Sequence, residues 1–116
     1  MDIGVDIVEI PRIARLTKNP RFLQKVFTRE EVRYCRARKN SAQHFAVRFA
    51  AKEAVWKAIG DRRMVHRDIQ VRNRADGKPE VFFPTKFKRL ARRVSISLSH
   101  GQEYAVAMAI YKKGKS

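Results

Sequence analysis

The sequence is poor in cysteine and glycine and has no long apolar run, and each shortage excludes a class of protein. A lone cysteine, Cys35, rules out a disulfide within the chain and suits a reducing compartment. The five glycines form no glycine-rich phosphate loop, and neither a Cys/His zinc spacing nor a Ser/His/Asp order is present. No apolar stretch approaches the roughly 18 residues of a membrane span, and the chain opens on a strand-like run. We therefore expect a soluble, cytoplasmic protein without a membrane partner.

Acidic residues are also scarce. The chain contains 11 Asp and Glu and 27 Lys and Arg, which gives a formal net charge of +16. This excess predicts an anionic partner: nucleic acid, a phosphate-bearing cofactor, an acidic protein or an acidic membrane surface. The 44% hydrophobic content and the length of 116 residues predict one globular domain spanning residues 1–116.

The segment 45–59 contains neither Gly nor Pro and predicts a long, mostly buried helix that ends at Gly60. At about 100° per residue, its aromatic residues and several of its alanines share one apolar arc. Glu53 and Lys57 project from the middle of that arc, one turn apart. A buried carboxylate is costly without a partner, so Glu53 requires Lys57, a metal ion or both. The structural alternative is an ordinary Glu-to-Lys pair at a core edge.

Three shorter helices have local start signals. Pro11 suits the first turn of a helix, and Asn19 followed by Pro20 predicts the start of a second. Thr28 and Glu31 have the spacing of a capping box, which predicts a third helix over about residues 29–38. Asn40 or Ser41 can cap the long helix.

The first eight residues alternate as a half-buried strand does. We expect one face to be buried (Met1, Ile3, Val5, Ile7) and the other to carry Asp2, Gly4, Asp6 and Val8. Gly4 would let another group approach the backbone closely.

The second half of the chain predicts more strands. Residues 69–83 form a hairpin, 85–93 a short basic helix, and 94–99 an alternating strand whose inward face includes His100. Residues 104–111 are apolar on both faces and predict a central strand covered twice. The expected architecture is α+β: an antiparallel sheet made of the hairpin, the two C-terminal strands and the first strand, packed against the long helix.

The residues left for chemistry are two carboxylates, Asp6 and Glu53, with Lys57 and His100. Carboxylate and water oxygens suit Mg²⁺. A helix rich in Lys and Arg beside such an ion suits a diphosphate. The combination favours phosphoryl-type transfer.

Five motifs occur in an order that resembles the holo-acyl-carrier-protein synthases, the short phosphopantetheinyl transferases. They are Gly-Val-Asp-Ile-Val-Glu-Ile (4–10), Phe-Thr-Arg-Glu-Glu (27–31), Arg-Phe-Ala-Ala-Lys-Glu-Ala (48–54), Gly-Lys-Pro (77–79) and Val-Ser-Ile-Ser-Leu-Ser-His (94–100). The resemblance covers nearly the whole chain, and the third motif is its most specific part.

The resemblance implies a phosphopantetheinyl transferase-like fold and transfer of 4′-phosphopantetheine from coenzyme A to a serine of apo acyl carrier protein, releasing 3′,5′-ADP. It implies Mg²⁺ held by Asp6 and Glu53, and a catalytic group completed by Lys57, which also lines the coenzyme site. It further implies a homotrimer with coenzyme A bound at the subunit interfaces, and a basic first helix that meets the carrier protein. The residues implied at the coenzyme are Arg48, Gly77, Lys78, Pro79 and His100, and those at the carrier protein are Arg12 and Arg15.

Three positions depart from the family pattern. Arg33 stands where some relatives have an Asp proposed to activate the attacking serine, the loop Gly60–Arg63 replaces a Gly-Thr-Gly type, and Pro11 replaces a more usual helix residue. Two alternatives remain: an inactive relative that only binds carrier proteins, and a small basic nucleic-acid-binding domain. A nucleic-acid-binding domain would explain the high net positive charge. It would not explain Asp6 and Glu53, and the basic run lacks interleaved aromatic residues.

Overall fold

The structure is a computed structural model that describes residues 1–114, so the last two residues of the expected domain lie outside it. The α+β architecture is confirmed. The helices are α1 (Ile10–Leu16), α2 (Pro20–Val26), α3 (Arg29–Arg36) and α4 (Ser41–Ile59), with 3₁₀ segments at His66–Asp68 and Thr85–Arg93. The strands are β1 (Asp2–Glu9), β2 (Gln70–Asn73), β3 (Pro79–Phe82), β4 (Val94–His100) and β5 (Tyr104–Tyr111).

Three expected helix ends are confirmed by their capping contacts, whereas Asn40 precedes α4 without a side-chain cap and α3 ends at Arg36, two residues earlier than expected. The Asn19 side chain accepts a hydrogen bond from the Arg21 backbone N–H, and Thr28 and Glu31 form both halves of the capping box. Gly60 ends α4 with φ of 70°, a left-handed conformation that glycine adopts without strain. The basic segment Thr85–Arg93 is helical as expected, in the 3₁₀ form. Among residues 1–114, no helix combines the length and apolarity that a bilayer crossing requires.

The strands form two sheets, which corrects the expected single sheet. The antiparallel order β1–β5–β4 makes one sheet with β5 at its centre, and β2–β3 is a separate hairpin. The expected inclusion of the hairpin was wrong: β3 lies near β4 but does not pair with it, and the β2 edge meets α3. The Val71 N–H donates to Glu31 Oε2 at 2.8 Å, where a further strand would otherwise bind.

The buried face of β1 is the opposite of the one expected. Gly4 and Val8 face inward, whereas the larger apolar side chains are 52% to 77% exposed (Met1, Ile3, Val5, Ile7). The strand β5 repeats this pattern, with its alanines buried (Ala105, Ala107, Ala109) and its larger residues exposed (Tyr104, Val106, Met108). The expected second cover over β5 is therefore not supplied by residues 1–114.

Small residues face inward because α4 lies almost in backbone contact with the sheet. A Cβ placed on Gly4 would be 1.9 Å from the carbonyl oxygen of Ala54. On the helix side, Ala50, Ala51 and Ala54 are fully buried. The expected close approach at Gly4 is confirmed, and it sets the height of α4 above β1.

The buried arc of α4 differs in part from the one expected. Phe45 and the expected alanines are buried, but Trp56 is 37% exposed and Lys57 lies at the surface. Arg48 and Lys52 are buried instead, because α3, the 3₁₀ segment His66–Asp68 and the hairpin cover the side of α4 that carries them.

Candidate active site

Asp6 and Lys57 meet where α4 crosses β1. Asp6 shares the inward face of β1 with Gly4, and Lys57 Nζ lies 3.3 Å from Asp6 Oδ1 and 3.2 Å from the Val5 carbonyl oxygen. Glu53 is one turn earlier on α4. The alternative of a Glu53–Lys57 pair is wrong, since Lys57 pairs with Asp6 and Glu53 with another residue.

Asp6 is held in an environment that disfavours its charge. Burial is the main cause that raises the pKa of its carboxyl group, and the negative charge of Glu53 adds to it. Lys57 and, more weakly, Arg12 act in the opposite direction. Oδ2 of Asp6 is buried and has no hydrogen-bond partner among residues 1–114. An oxygen in this state is suited to binding a cation.

The partner of Glu53 is His66, which sequence reasoning missed. Nε2 of His66 lies 3.1 Å from Glu53 Oε1, within ion-pair distance, but the two atoms are not aligned as a hydrogen bond. The imidazole stacks on the Phe49 ring with 5.9 Å between centroids and 8° between planes. Phe49 and Glu53 are one turn apart on α4, so the helix supports the ring and presents the carboxylate to it.

A buried ion pair fixes the segment that carries His66. Lys52 Nζ lies 2.7 Å from Glu31 Oε1 and donates hydrogen bonds to the carbonyl oxygens of His66 at 3.1 Å and Ile69 at 2.5 Å. Burial lowers the pKa of Lys52, and the Glu31 carboxylate opposes that shift. The only sequence signal for this network was the capping box, which located Glu31 but not its partner.

Arg48 and the Gly77–Pro79 turn belong to a second group of predicted residues. The Arg48 guanidinium lies 4.1 Å above the Tyr34 ring, and its Nη2 donates to Asn73 Oδ1 at 2.7 Å. Asn73 in turn donates to the Gly77 carbonyl oxygen at 3.0 Å. Arg48 Nε is buried and lacks a hydrogen-bond partner within the described chain. Lys78 and Pro79 follow in the exposed turn and the start of β3.

His100 lies in a third place, at the end of β4. It pairs with Ala105 and so shares the inward face as expected, and its Nδ1 contacts Nε2 of Gln43 on α4. A cleft of about 720 Å³ opens there between the start of α4 and the β4–β5 turn. Within the described residues of the chain, the residues expected at the coenzyme are thus divided among separate surfaces.

The residues expected at the carrier protein lie on α1. Arg12 and Arg15 are both exposed, and the charge of Arg12 reaches Asp6. The loop Gly60–Arg63, which differs from the family pattern, is a tight turn. In it, Asp61 accepts hydrogen bonds from the side chain and backbone of Arg63, and these lower the pKa of Asp61 to about 2.

Asp6 and Glu53 are compatible with a divalent metal ion of the kind that keeps several waters. No group of three or more His, Cys, Asp or Glu side chains with metal-binding geometry occurs in residues 1–114. Mg²⁺ needs no such group, because it is commonly bound by one or two carboxylates with substrate phosphates and water. The partnerless Oδ2 of Asp6 fits that chemistry.

Comparison with known proteins gives consistent matches over the whole chain. Residues 2–109 match the model of the 4′-phosphopantetheinyl transferase superfamily. The holo-[acyl-carrier-protein] synthase of Koribacter versatilis is 41% identical over 92% of this chain and 94% of its own. The crystal structure of the Neisseria meningitidis synthase has a TM-score of 0.86 at 33% identity, covering 97% of this chain and 98% of that one. The Bacillus anthracis synthase, in complex with CoA (3′,5′-ADP), has a TM-score of 0.82 at 32% identity, covering 97% and 96%.

Proposed function

Because the chain belongs to the 4′-phosphopantetheinyl transferase superfamily, we propose that Asp6 and Glu53 bind the Mg²⁺ ion used in its transfer reaction. The enzyme transfers 4′-phosphopantetheine from coenzyme A to a serine of apo acyl carrier protein and releases 3′,5′-ADP. The alternative of a nucleic-acid-binding domain would leave the match and the two carboxylates unexplained.

The observation that carries the metal proposal is the state of Asp6. Its side chain is 16% exposed, its pKa is raised, and its buried Oδ2 has no partner among the described residues. Glu53 is near enough for its charge to act on Asp6. Two carboxylates that repel each other in the free protein are stabilised by a shared cation. The bound ion would supply charge neutralisation at the diphosphate of coenzyme A.

Lys57 is proposed to contact the phosphates of coenzyme A. Its side chain is 48% exposed and contacts Asp6 Oδ1 at the long distance of 3.3 Å. A half-exposed ammonium can turn toward a phosphate at little cost, and a charge-assisted hydrogen bond there is stronger than the present contact. Lys57 would orient the diphosphate and stabilise the charge that develops on the leaving 3′,5′-ADP.

The remaining coenzyme residues support a site shared between subunits. Arg48, Gly77, Lys78, Pro79 and His100 do not surround Asp6 within one protomer, so they are proposed to meet the coenzyme from neighbouring protomers. The exposed apolar face of β1 and β5 supports association of copies of this chain, which we propose to be a homotrimer. Val5 pairs with Met108 and Ile7 with Val106, so their side chains form one continuous apolar surface. A surface of this kind marks a protein interface.

The carrier protein is proposed to dock on α1. Arg12 and Arg15 are exposed there, and Arg12 is close enough to influence Asp6. Docking at this helix would bring an acceptor serine to the carboxylates. Arg33 cannot accept the proton of that serine, because a guanidinium stays protonated in proteins.

A mass assay tests the metal proposal and the inactive-relative alternative together. The protein is incubated with coenzyme A, Mg²⁺ and apo carrier protein, and the added phosphopantetheine mass is measured. Glu53→Gln keeps the shape of the side chain and removes its charge, so we expect a loss on the order of 100-fold at limiting Mg²⁺. Glu103→Gln, at an exposed site, is the matched control. Full activity of Glu53→Gln at limiting Mg²⁺ would contradict the assignment.

A further inference from the structure

A basic cleft lies outside the residues assigned so far. It opens between the end of α1, helices α2 and α3, and the 3₁₀ segment His66–Asp68, with a volume of about 930 Å³. We call it the α2–α3 cleft. Its lining contains no acidic side chain and five cationic ones: Lys18, Arg29, Arg33, Arg36 and Arg67.

The positive charge of the cleft is not neutralised by the fold. Arg29, Arg33 and Arg36 follow a spacing of four and three residues, so they share one face of α3. The two acids of α3 are engaged elsewhere, Glu30 with Arg72 at 2.8 Å and Glu31 with Lys52 at 2.7 Å. None of the five cations of the cleft forms an ion pair within residues 1–114.

The floor of the cleft is apolar and favours a protein segment over a nucleic acid. Leu23, Phe27 and Val32 line it. Phe27 is the only aromatic residue of the lining and is 1% exposed, so it offers no face on which a base could stack. A recessed aliphatic floor ringed by cations matches an acidic amphipathic segment, whose apolar side chain enters while its carboxylates meet the rim.

The position of the cleft connects it to the reaction. Arg67 directly follows His66, whose imidazole contacts Glu53. On the other side, Lys18 follows α1, which carries the proposed docking residues. The cleft is therefore lined by residues that adjoin both the proposed first docking helix and the histidine at Glu53.

We propose that the α2–α3 cleft is a second docking site for the acyl carrier protein, and that it binds an acidic amphipathic segment of that protein. This rests on the proposed function, in which a carrier protein presents its serine to the carboxylates. A second contact in addition to α1 would fix the direction from which the carrier approaches. A single basic helix would leave the carrier free to rotate about its axis.

The test reverses two charges of the rim. Arg29→Glu/Arg36→Glu adds an acid near each end of α3, so the two effects on the helix dipole oppose each other. Arg33 is left unchanged because some relatives have a carboxylate there. Lys88→Glu/Arg92→Glu, at exposed positions of the segment Thr85–Arg93, makes the same change of net charge and serves as control. Melting temperatures establish that each variant is folded, and Arg29→Gln/Arg36→Gln replaces the first if it is not.

Two measurements separate docking from chemistry. The first is KM for apo carrier protein and for coenzyme A, and the second is Kd for a carrier whose acceptor serine is alanine. We expect KM and Kd for the carrier to rise about tenfold at low salt, with kcat and KM for coenzyme A unchanged. The control should change by about twofold or less, and high salt should reduce the difference.

Several outcomes would overturn the proposal. An unchanged Kd for the alanine carrier would remove the cleft as a docking site, and a rise in KM for coenzyme A alone would make it a coenzyme site. Oligonucleotide binding by the native protein that is lost in the variant, with carrier binding intact, would assign it to nucleic acid. Failure of the native protein to modify any carrier while it still binds the alanine carrier through the cleft would contradict the proposed function instead.

Discussion

Replacing Gly4 by alanine tests whether the height of α4 above the sheet determines both stability and activity. A Cβ on Gly4 would lie 1.9 Å from the Ala54 carbonyl oxygen, 2.9 Å from the Ala54 carbonyl carbon and 3.0 Å from the Ala58 nitrogen. Ordinary carbon–oxygen contacts are about 3.3–3.6 Å, so the helix or the strand must move by about 1.5 Å. The opposing atoms are backbone and cannot rotate away. We therefore expect a loss near the upper end of the overpacking range of about 1–3 kcal/mol in the free energy of unfolding.

The same displacement should reduce transfer activity. Glu53 and Lys57 flank Ala54 and Ala58 on α4, and Asp6 is two residues after Gly4. A misplacement of about 1 Å can cost on the order of 100-fold in rate. Denaturant unfolding measures the stability, and the mass assay measures the transfer by the folded fraction.

Gly101→Ala is the matched control for stability, because a Cβ at Gly101 would meet nothing within 4 Å. It should leave the free energy of unfolding unchanged or raise it by about 0.4–1 kcal/mol through the unfolded chain. If Gly4→Ala is as stable as the native protein, the close contact does not set the height of the helix and the reasoning is refuted.

Three further predictions address Lys52 and Lys57 of α4 and Asp6 of β1. Lys52→Met leaves the Glu31 carboxylate buried without its partner and should lower the free energy of unfolding by about 3–5 kcal/mol. Adding Glu31→Gln should recover part of this loss, and strictly additive effects of the two substitutions would contradict the pairing. Lys57→Met removes a half-exposed contact, so it should cost at most about 1 kcal/mol while impairing coenzyme A turnover; a large destabilisation with normal turnover of the folded fraction would make Lys57 structural. Because the pKa of Asp6 is raised, the folded state binds a proton at its carboxyl group more tightly than the unfolded chain does. Protonated Asp6 therefore stabilises the fold at low pH, and this contribution is lost as the pH rises from 3.8 through the raised pKa. Asp6→Asn should therefore melt no lower than the native protein at neutral pH without Mg²⁺, and should lose transfer activity; a clearly lower melting temperature would show that ionised Asp6 stabilises the fold.

The helix boundaries could be predicted because their causes are local. The Asn19 cap, the Thr28–Glu31 capping box and the left-handed Gly60 each depend on a few neighbouring residues, and all three are confirmed. Propensity and capping act within one turn of a helix, so the sequence contains them directly.

The partners of the charged residues could not be predicted in the same way. Helix spacing shows that Lys57 is near Glu53, but its observed partner, Asp6, lies 51 positions away in the sequence. His66 is in a basic loop whose residues gave no periodic signal, and it reaches Glu53 because Lys52 holds its carbonyl oxygen. Long-range contacts of this kind depend on how helices and loops pack, which spacing within one element does not encode.

The inverted faces of β1 and β5 have a single physical explanation that also bears on assembly. A strand with larger apolar residues on one face and small or polar ones on the other is expected to bury the larger ones. Here α4 packs on the face that carries the small residues, because Gly4 and the alanines of β5 allow the helix backbone to approach closely. That close approach positions Glu53 and Lys57 near Asp6, and it leaves Ile3, Val5 and Ile7 exposed. Burial of such an apolar surface contributes about 25 cal/mol for each Å² removed from water, which favours association. The arrangement that builds the carboxylate site within one protomer thus also produces the surface on which we propose that the protomers assemble.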